Sequence, residues 1–469
     1  MSLPEHAADS GKVRTRWACC LGMLAVGVNG TAIMAALPTM RTDLALDTAG
    51  VTWAVNGYLL TSAACIILGG RASDWVGARR VAQAGLLLFA AASAAIALAP
   101  GAGVLLAGRV GQGLGAALAV PGTLACIGQA AAPARRAAAL SAWAAALMLG
   151  FSLGPLVGGA ATHALGWRAV FWCVGFAVLS AAAGLTGAPT AGDAGARGRS
   201  PVTFDVAGFA LLAVLMVSAV LALDGLPEAR RAPLRLVLPL LSAVAAAALL
   251  VWTERRRADP FVDLAGLSRA PLFLRAATIG AIAMFGILST LLYFNLDAQS
   301  PSGLGLTPVG AGLILLPLSV GLFAVARLAP RAVERLGFRG STTGALVIVA
   351  LACGVIAAAA HERVVWMLGL GLLLFGAGLA LPYATAPRLA LASLPPEAAG
   401  QSSGLINACT FLGGSVGVSC GAVVYPLAGL AGVMGLVAAA ALIGAALARG
   451  LPRGADDASA RQGTREKLP

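Results

Sequence analysis

The chain has 469 residues, of which 59% are hydrophobic and only 11% are charged. A soluble protein of this size carries roughly a quarter charged residues, so the composition excludes an ordinary soluble domain. The formal net charge of +13 falls in short loops beside apolar runs, which favours the positive-inside bias of membrane proteins over nucleic-acid binding.

Apolar runs of about 20 residues recur along the whole chain, each long enough to cross a bilayer core of ~30 Å. They lack the alternation of barrel strands, so we predict an all-α polytopic membrane protein. The fourteen predicted spans lie at 17–38, 50–69, 81–99, 104–125, 138–160, 169–188, 206–223, 236–252, 274–296, 308–328, 342–360, 364–386, 402–425 and 428–448. The first has no A-x-A cleavage site and is expected to stay uncleaved. Most basic residues fall on one side of the spans, which places both termini in the cytoplasm.

The first two spans carry polar and aromatic side chains within apolar sequence. Asn29 begins the stretch NGTAIMAALP, and Trp53 and Tyr58 lie in WAVNGYLL. Residue type alone indicates that the two aromatic residues are simple interfacial aromatics. A position facing a central cavity is implied for them only by resemblance to a known family.

Between the second and third spans lies GGRASDWVGARR, residues 69–80. Gly70 and Gly77 are expected to permit a tight turn, and Asp74 to pair with Arg79 or Arg80 or to approach a helix N-terminus. The alternative is an ordinary turn with cytoplasmic positive charges.

Arg109, in GRVGQGLGAA, is the only charged residue between Val81 and Ala134. A charge at the centre of a bilayer costs at least ~2.5–3.5 kcal/mol unless it faces a polar cavity. We therefore predict that Arg109, with Gln112 nearby, lines a wet central cavity. The alternative is a structural arginine that snorkels to the outer surface.

The fifth span, in LMLGFSLGPLVGGA, combines a stripe of small residues with a proline: Gly150, Gly154, Pro155, Gly158 and Gly159. Small residues four apart let another helix approach closely, and the proline removes one backbone hydrogen bond. Tight packing alone is the alternative to a functional motif.

Two segments resemble each other 260 positions apart, GRASDWVGAR at 70–79 and PRAVERLGFR at 330–339. Glycines align at a similar offset, Gly113, Gly115, Gly150, Gly154 and Gly158 with Gly376, Gly378, Gly413, Gly417 and Gly421. The pattern predicts two parallel six-helix bundles with two extra helices between them. The predicted organisation is a cytoplasmic tail at 1–16, a bundle at 17–189, a linker with two extra helices at 190–273, a second bundle at 274–448 and a cytoplasmic tail at 449–469.

These motifs resemble those of the major facilitator superfamily. The 69–80 loop is similar to its signature loop, R-x2-Q-G-x-G at Arg109 to its fourth-helix motif, and the fifth-span glycines and Pro155 to the motif that marks its antiporters and exporters. Further stretches resemble the fourteen-span drug:proton antiporters of the superfamily and together cover almost the whole chain, at 29–38, 53–60, 204–213, 254–264, 312–321 and 400–418.

The resemblance implies a monomeric exporter of amphipathic drugs, antibiotics or natural products. The large excess of arginine over lysine, with abundant alanine and glycine, is typical of a GC-rich bacterial coding sequence and favours a bacterial plasma membrane. The 69–80 loop would latch the two halves during alternating access. Arg109 would take part in proton coupling, and the proton gradient would supply the energy with no cofactor. A nutrient uptake carrier or an uncoupled facilitator is the alternative, and an intramembrane enzyme or a receptor is a remote one.

In one respect the chain departs from the family. The first-helix motif of the family carries an aspartate where this chain has Asn29. No acidic residue lies near a predicted midplane, so Asp297 at an outer helix end is the best remaining proton carrier, with a solvated loop acid as the alternative. A cavity formed by Arg109, Asn29 and Tyr58 is neutral to positive and is expected to prefer neutral, zwitterionic or anionic amphipaths.

Overall fold

The computed structural model describes residues 3–131, 135–186, 205–226, 229, 231–256, 270–392 and 399–452, and the regular structure within them is helical. The all-α prediction is confirmed. In chain order the helices are α1 Leu3–Asp43, α2 Thr48–Val76, α3 Ala78–Ala97, α4 Ala102–Ala130, α5 Arg136–Leu165, α6 Trp167–Gly184, α7 Val206–Gly225, α8 Leu234–Arg256, α9 Pro271–Gln299, α10 Pro308–Ile314, α11 Leu316–His361, α12 Val365–Ala392 and α13 Ala399–Ala448.

Among the described residues, 13 helical stretches are long and apolar enough to cross a membrane. The last of them, Leu405–Ala448, has 44 residues and would be ~66 Å long as one straight helix, about twice the thickness of a bilayer core. Gly429 breaks it with a left-handed φ of 58°. The predicted count of fourteen spans therefore agrees with the structure.

Five glycines have positive φ among the described residues. Gly305 (φ 61°) lies between α9 and α10, and the other four make turns that occur as two pairs. Gly77 (φ 100°) separates α2 from α3, and Gly337 (φ 69°) bends α11 260 positions later. Gly166 (φ 83°) separates α5 from α6, and Gly429 bends α13 263 positions later. A side chain at such a φ meets the neighbouring backbone, so glycine is the residue these turns favour. The sequence repeat is thus matched by a repeat of backbone turns.

The helices divide into two compact units. The first comprises Met1–Phe204 with Leu306–Leu313, and the second comprises Asp205–Gly305 with Ile314–Pro469. In the first unit α1 packs most extensively on α5, while α2 and α3 both pack on α4. In the second unit the main pairs are α9 with α13, α11 with α12, and α7 with α8. The two extra helices, α7 and α8, thus belong to the second unit.

Candidate functional site

Arg109 lies two turns from the start of α4, and its side chain has no exposed surface. Its Nε donates to the carbonyl of Ala54 on α2 at 2.6 Å, and Nη1 donates to Oε1 of Gln112 at 2.6 Å. The guanidinium carbon stands 4.7 Å from the centroid of the Tyr58 ring, close enough for a cation–π contact. The expected solvated guanidinium is therefore absent from this conformation, because polar and aromatic groups of α2 and α4 surround the side chain instead.

Gln112 connects Arg109 to two further helices. Its Nε2 donates to Oδ1 of Asn29 on α1 at 3.2 Å and to Oγ of Ser93 on α3 at 2.8 Å. The Ser93 hydroxyl in turn donates to the Phe89 carbonyl at 2.8 Å. We call Arg109, Gln112, Asn29 and Ser93 the Arg109 network. All four side chains are buried, and they join α1, α3 and α4 of the first unit, with α2 contributing a carbonyl.

Two donors of this network have no acceptor among the described residues, namely Nη2 of Arg109 and Nδ2 of Asn29. The network also contains no carboxylate, so its one formal charge is the positive charge of the guanidinium. Buried donors without partners are rare in folded proteins, because each has lost its water without replacement. The arrangement is thus a preformed set of donors that suits an acceptor-rich or negatively charged group.

The second unit repeats the helix packing that is found around Arg109 in the first unit. In the first unit, a Cβ at Gly113 would overlap the Tyr58 carbonyl. In the second, a Cβ at Gly376 would overlap the Leu318 carbonyl, 260 positions after Tyr58.

The next glycine repeats the same relation. Gly115 lies against the carbonyl of Gly85, and Gly378 lies against that of Ala345, again 260 positions further along the chain. The two helix pairs therefore pack in the same register.

The chemistry at the matched positions differs between the units. Four residues before Gly113 stands Arg109, and four residues before Gly376 stands Leu372. Gln112 is matched in the same way by Phe375, and both apolar side chains are fully buried. Because the second unit packs this position with apolar residues, the fold itself does not require a charge there.

At the turn after α2, Gly77 is the one non-helical residue between two helices. Gly70 lies within α2 with nothing within 4 Å of an added Cβ, so the expectation that it relaxes the turn is wrong. Arg79 is half-buried and Arg80 is exposed at the start of α3. The side chain of Asp74, and therefore its expected pairing, lies outside the described residues.

The glycine stripe of α5 faces α1. A Cβ at Gly150 would overlap the Leu24 carbonyl, and one at Gly158 would overlap the Ala32 carbonyl. The α1 partners of the stripe are Leu24, Gly27, Val28, Thr31 and Ala32, of which Val28, Thr31 and Ala32 stand against Gly154. The hydroxyl of Thr31 donates to the Phe151 carbonyl at 2.9 Å, which ties the two helices together.

Gly159 and Pro155 contact another segment of the same unit. A Cβ at Gly159 would overlap the carbonyl of Pro308, and a Cβ at Gly312 would stand 2.8 Å from the Pro155 carbonyl. All five residues of the fifth-span motif therefore lie where the backbone of α5 closely approaches the backbone of another segment. Pro155 lies inside α5, which continues on both sides of it.

The remaining predicted residues lie apart from the Arg109 network. Trp53 is half-buried on α2. Asp297, near the end of α9 in the second unit, is half-buried and accepts a long hydrogen bond of 3.4 Å from the Tyr425 hydroxyl. The Tyr425 ring stands 5.3 Å from that of Tyr293, whose hydroxyl donates to the Val418 carbonyl at 2.5 Å. The proposed role of Asp297 as a proton carrier stays a prediction.

Sequence reasoning missed Ser93 and Tyr425 as partners of predicted site residues. Ser93 is the only hydroxyl side chain within the predicted span 81–99, and a polar residue in an apolar span is the signal that marks it. Tyr425 offers a weaker signal, because tyrosines are common near the ends of membrane helices.

Comparisons with known proteins agree on one family. The family model described as Major Facilitator Superfamily matches residues 19–418. The multidrug resistance protein Stp of Mycobacterium tuberculosis (strain CDC 1551 / Oshkosh) is 30% identical over 403 residues, which cover 85% of this chain and 73% of that protein. The tetracenomycin C resistance and export protein of Streptomyces glaucescens is 30% identical over 422 residues, which cover 88% of this chain and 77% of its own.

Solved structures agree on the fold. The xylose transporter XylE from E. coli, in a partially occluded inward-open conformation, superposes with a TM-score of 0.66 at 16% identity. The match covers 94% of this chain and 98% of that one. At this identity the likeness concerns the path of the helices alone.

Proposed function

The chain belongs to the major facilitator superfamily, and from that premise we propose that it exports amphipathic drugs, antibiotics or natural products across a bacterial plasma membrane. One observation carries the proposal. Relatives that match more than four fifths of this chain, Stp and the tetracenomycin C protein, are named for drug resistance or export. The close contact of the α5 glycine stripe with α1 adds support, since this motif resembles that of antiporters and exporters in the superfamily.

We propose that the Arg109 network is where the substrate or the coupling ion acts. A fully buried guanidinium is costly to keep, and the second unit packs the same position with Leu372 and Phe375. The charge therefore serves something other than packing. In an alternating-access cycle, a conformation that admits solutes to α1, α2 and α4 would expose these donors to the substrate.

The composition of the network suggests the charge of the substrate. Asn29 is an amide and Arg109 a permanent cation, so the site attracts negative charge and hydrogen-bond acceptors and repels lipophilic dications. We propose that neutral, zwitterionic or anionic amphipaths are the preferred substrates. Export of an ethidium-like dication in strong preference to a neutral antibiotic would contradict this.

We further propose that inward proton movement drives export, with no enzymatic step and no organic or metal cofactor. The carboxylate best suited to carry the proton is Asp297, which is half-buried beside Tyr425. In proteoliposomes, an imposed pH gradient should accelerate substrate flux in the wild type but not in Asp297→Asn. If the pH gradient leaves the substrate flux unchanged in both proteins, transport is not coupled to protons.

The test of the proposed function is drug susceptibility. An efflux-deficient bacterial host expressing the wild-type chain should tolerate several-fold higher concentrations of at least one amphipathic drug than the empty host. Arg109→Ala, at equal abundance in the membrane, should remove that tolerance, whereas Leu372→Ala at the matched position of the second unit should keep most of it. Identical profiles for wild type and Arg109→Ala would exclude Arg109 from the mechanism.

The direction of transport separates export from the alternative of uptake. In inverted membrane vesicles an exporter accumulates its substrate inside the vesicle when the interior is acid. Accumulation only in right-side-out vesicles would instead indicate a nutrient uptake carrier.

A further inference from the structure

We infer that the Arg109 network binds a monovalent anion through the donors that stay unpaired on Arg109 and Asn29. The inference concerns the site of the proposed export but does not depend on export taking place. It follows from the hydrogen-bond geometry of the network, from its charge, and from the comparison of the two units.

The hydrogen bonds fix the orientation of both amides. A guanidinium has donors and no acceptor, so the Gln112 atom that faces Arg109 at 2.6 Å must be its oxygen. The nitrogen of Gln112 must then face Asn29, and as a donor it requires the Asn29 oxygen on that side, at 3.2 Å. Asn29 therefore has to present its nitrogen away from Gln112.

The consequence is a chain of donors with no terminal acceptor. The Ser93 hydroxyl accepts from Gln112 and donates to the Phe89 carbonyl, so its proton is already used. Nδ2 of Asn29 and Nη2 of Arg109 then remain as buried donors without an acceptor in the described part of the chain. Both nitrogens belong to side chains at most 1% exposed, and neither can be satisfied by reversing an amide.

The charge of the network points to an anion rather than to a neutral acceptor. A buried cation is tolerated when a counter-charge lies within contact, and a buried charge left without its partner strongly destabilises a protein. The neighbours of the guanidinium are a carbonyl, an amide and an aromatic ring, none of which carries a formal charge. An anion beside Arg109 would satisfy the donors and neutralise the charge at the same time.

The second unit shows that the helices pack without this charge. Leu372 and Phe375 fill the matched positions, and Cys353 stands 260 positions after Ser93. The polar side chains of the first unit are therefore not a requirement of helix packing, and a ligand explains their presence. Two sources share the required chemistry: a halide from solution, or the carboxylate or phenolate of an organic solute.

The test measures binding by thermal unfolding of the purified full-length chain, followed by tryptophan fluorescence, with no transport step. Protein in sodium gluconate should gain a saturable rise in Tm of roughly 2–4 °C when chloride replaces gluconate at constant ionic strength. Salicylate added to the gluconate buffer identifies the source of the anion. A response to chloride indicates an inorganic occupant, and a response to salicylate alone indicates the acidic group of an organic solute.

Asn29→Asp is the decisive variant, because it replaces the unpaired amide donor of Asn29 with a fixed negative charge inside the network. We expect it to be as stable in gluconate as the wild type is in saturating chloride, and to lose the response to both anions. A purely structural role for Asn29 predicts the reverse, a less stable protein. Gln83→Glu, an amide-to-acid change on α3 away from the network, should keep the wild-type response.

Arg109→Gln should also abolish the response, and Asn29→Asp keeps the inference testable if that variant does not fold. The inference is overturned if neither anion produces a saturable shift in the wild type. It is equally overturned if Asn29→Asp responds as strongly as the wild type, since the shift would then be a general salt effect. Failure of drug export leaves these outcomes unchanged, so the two proposals fail separately.

Discussion

At Arg109 the guanidinium contacts three different groups and leaves one nitrogen unpaired among the described residues. One nitrogen donates to a carbonyl of α2, a second donates to Gln112, and the ring of Tyr58 covers the carbon. Hydrogen bonds to a charged group contribute about 1.5–3 kcal/mol each, so these contacts offset a large part of the cost of burial. Gln112 is the residue on which the arrangement depends, because its side chain is hydrogen-bonded to both Arg109 and Asn29.

Gln112→Leu should therefore disable transport far more than Phe375→Leu, its counterpart in the second unit. The first change leaves Arg109 and Asn29 with additional unpaired polar atoms, and loss of about 1.5–3 kcal/mol corresponds to a rate lower by ~10- to 100-fold. The second changes apolar packing alone. Initial rates of drug accumulation in inverted vesicles, normalised to protein content, give the comparison. Equal losses in the two variants would show that the polar network has no special role.

Sequence alone located Arg109, Gln112 and Asn29 but not the way they combine. A lone charge in an apolar span is visible in the sequence, because hydropathy is a property of each residue and its neighbours along the chain. Burial of the guanidinium depends on side chains from α1, α2 and α3. The sequence does not specify how each of these helices is rotated about its own axis, and therefore which side chains face Arg109. For the same reason the sequence does not reveal the hydrogen bond to Ser93 or the complete burial of the guanidinium.

At the scale of elements, glycines decide where helices end and how closely they approach. Gly77 and Gly337 turn the chain at matched positions, and the glycines of α5 bring its backbone against α1. The sequence repeat predicted both features, since it depends on glycines spaced along one chain. The repeat could not distinguish Gly70, which lies in a regular helix, from Gly77, which makes the turn. The two glycines differ in their backbone angles, which the sequence does not show.

The turn glycines provide a prediction with a control in the same motif. Gly77→Ala and Gly337→Ala should each destabilise the protein by about 1–2 kcal/mol, because alanine is strained at a left-handed φ. Gly70→Ala should be neutral, or stabilising by about 0.5–1 kcal/mol, because its backbone is helical and an added Cβ meets no atom within 4 Å. Thermal unfolding of the three purified variants measures this order. A destabilised Gly70→Ala would contradict it.

The glycine stripe provides another prediction. Gly158→Ala should destabilise the first unit by roughly 1–3 kcal/mol, since its Cβ would overlap backbone atoms of Ala32, which cannot move aside as a side chain can. Gly103→Ala in α4 of the same unit is the control, because nothing lies within 4 Å of its Cβ. Yield of folded protein and Tm in detergent report the difference. If the two variants have the same Tm, α1 and α5 are not held as closely as the structure indicates.

At the scale of the whole molecule, a lipid bilayer explains why large apolar side chains lie exposed on the surface of the protein. Leu238, Leu241 and Val244 on α8 are 59%, 59% and 60% exposed, which is unfavourable in water and ordinary against lipid. The number of spans and their apolar length are well predicted from the sequence, because a bilayer imposes one length on every crossing. The borders of the domains remain predictions, since they fall in loops whose composition varies gradually.

The side of the membrane on which each segment lies is a prediction that fusion reporters can check. A fluorescent protein at the carboxyl terminus should fluoresce and alkaline phosphatase there should be inactive, if the bias of basic residues correctly predicts a cytoplasmic tail. Alkaline phosphatase inserted after Ala45, between α1 and α2, should be active. The opposite pattern at both positions would reverse the orientation of the chain.

The complete burial of Arg109 has a consequence for motion. A conformation that hydrates the guanidinium recovers solvation energy that the buried arrangement lacks, so the unpaired donors shift the population toward hydrated states whenever no acceptor occupies them. Leucine at this position, as at residue 372, removes that drive, and Arg109→Leu should spend a larger fraction of time with α2 and α4 packed as in this structure. Spin-label distance distributions between α2 and α4, compared with the wild type, would register the shift. Burial of the cation would then store free energy that is released when water or an acceptor reaches it.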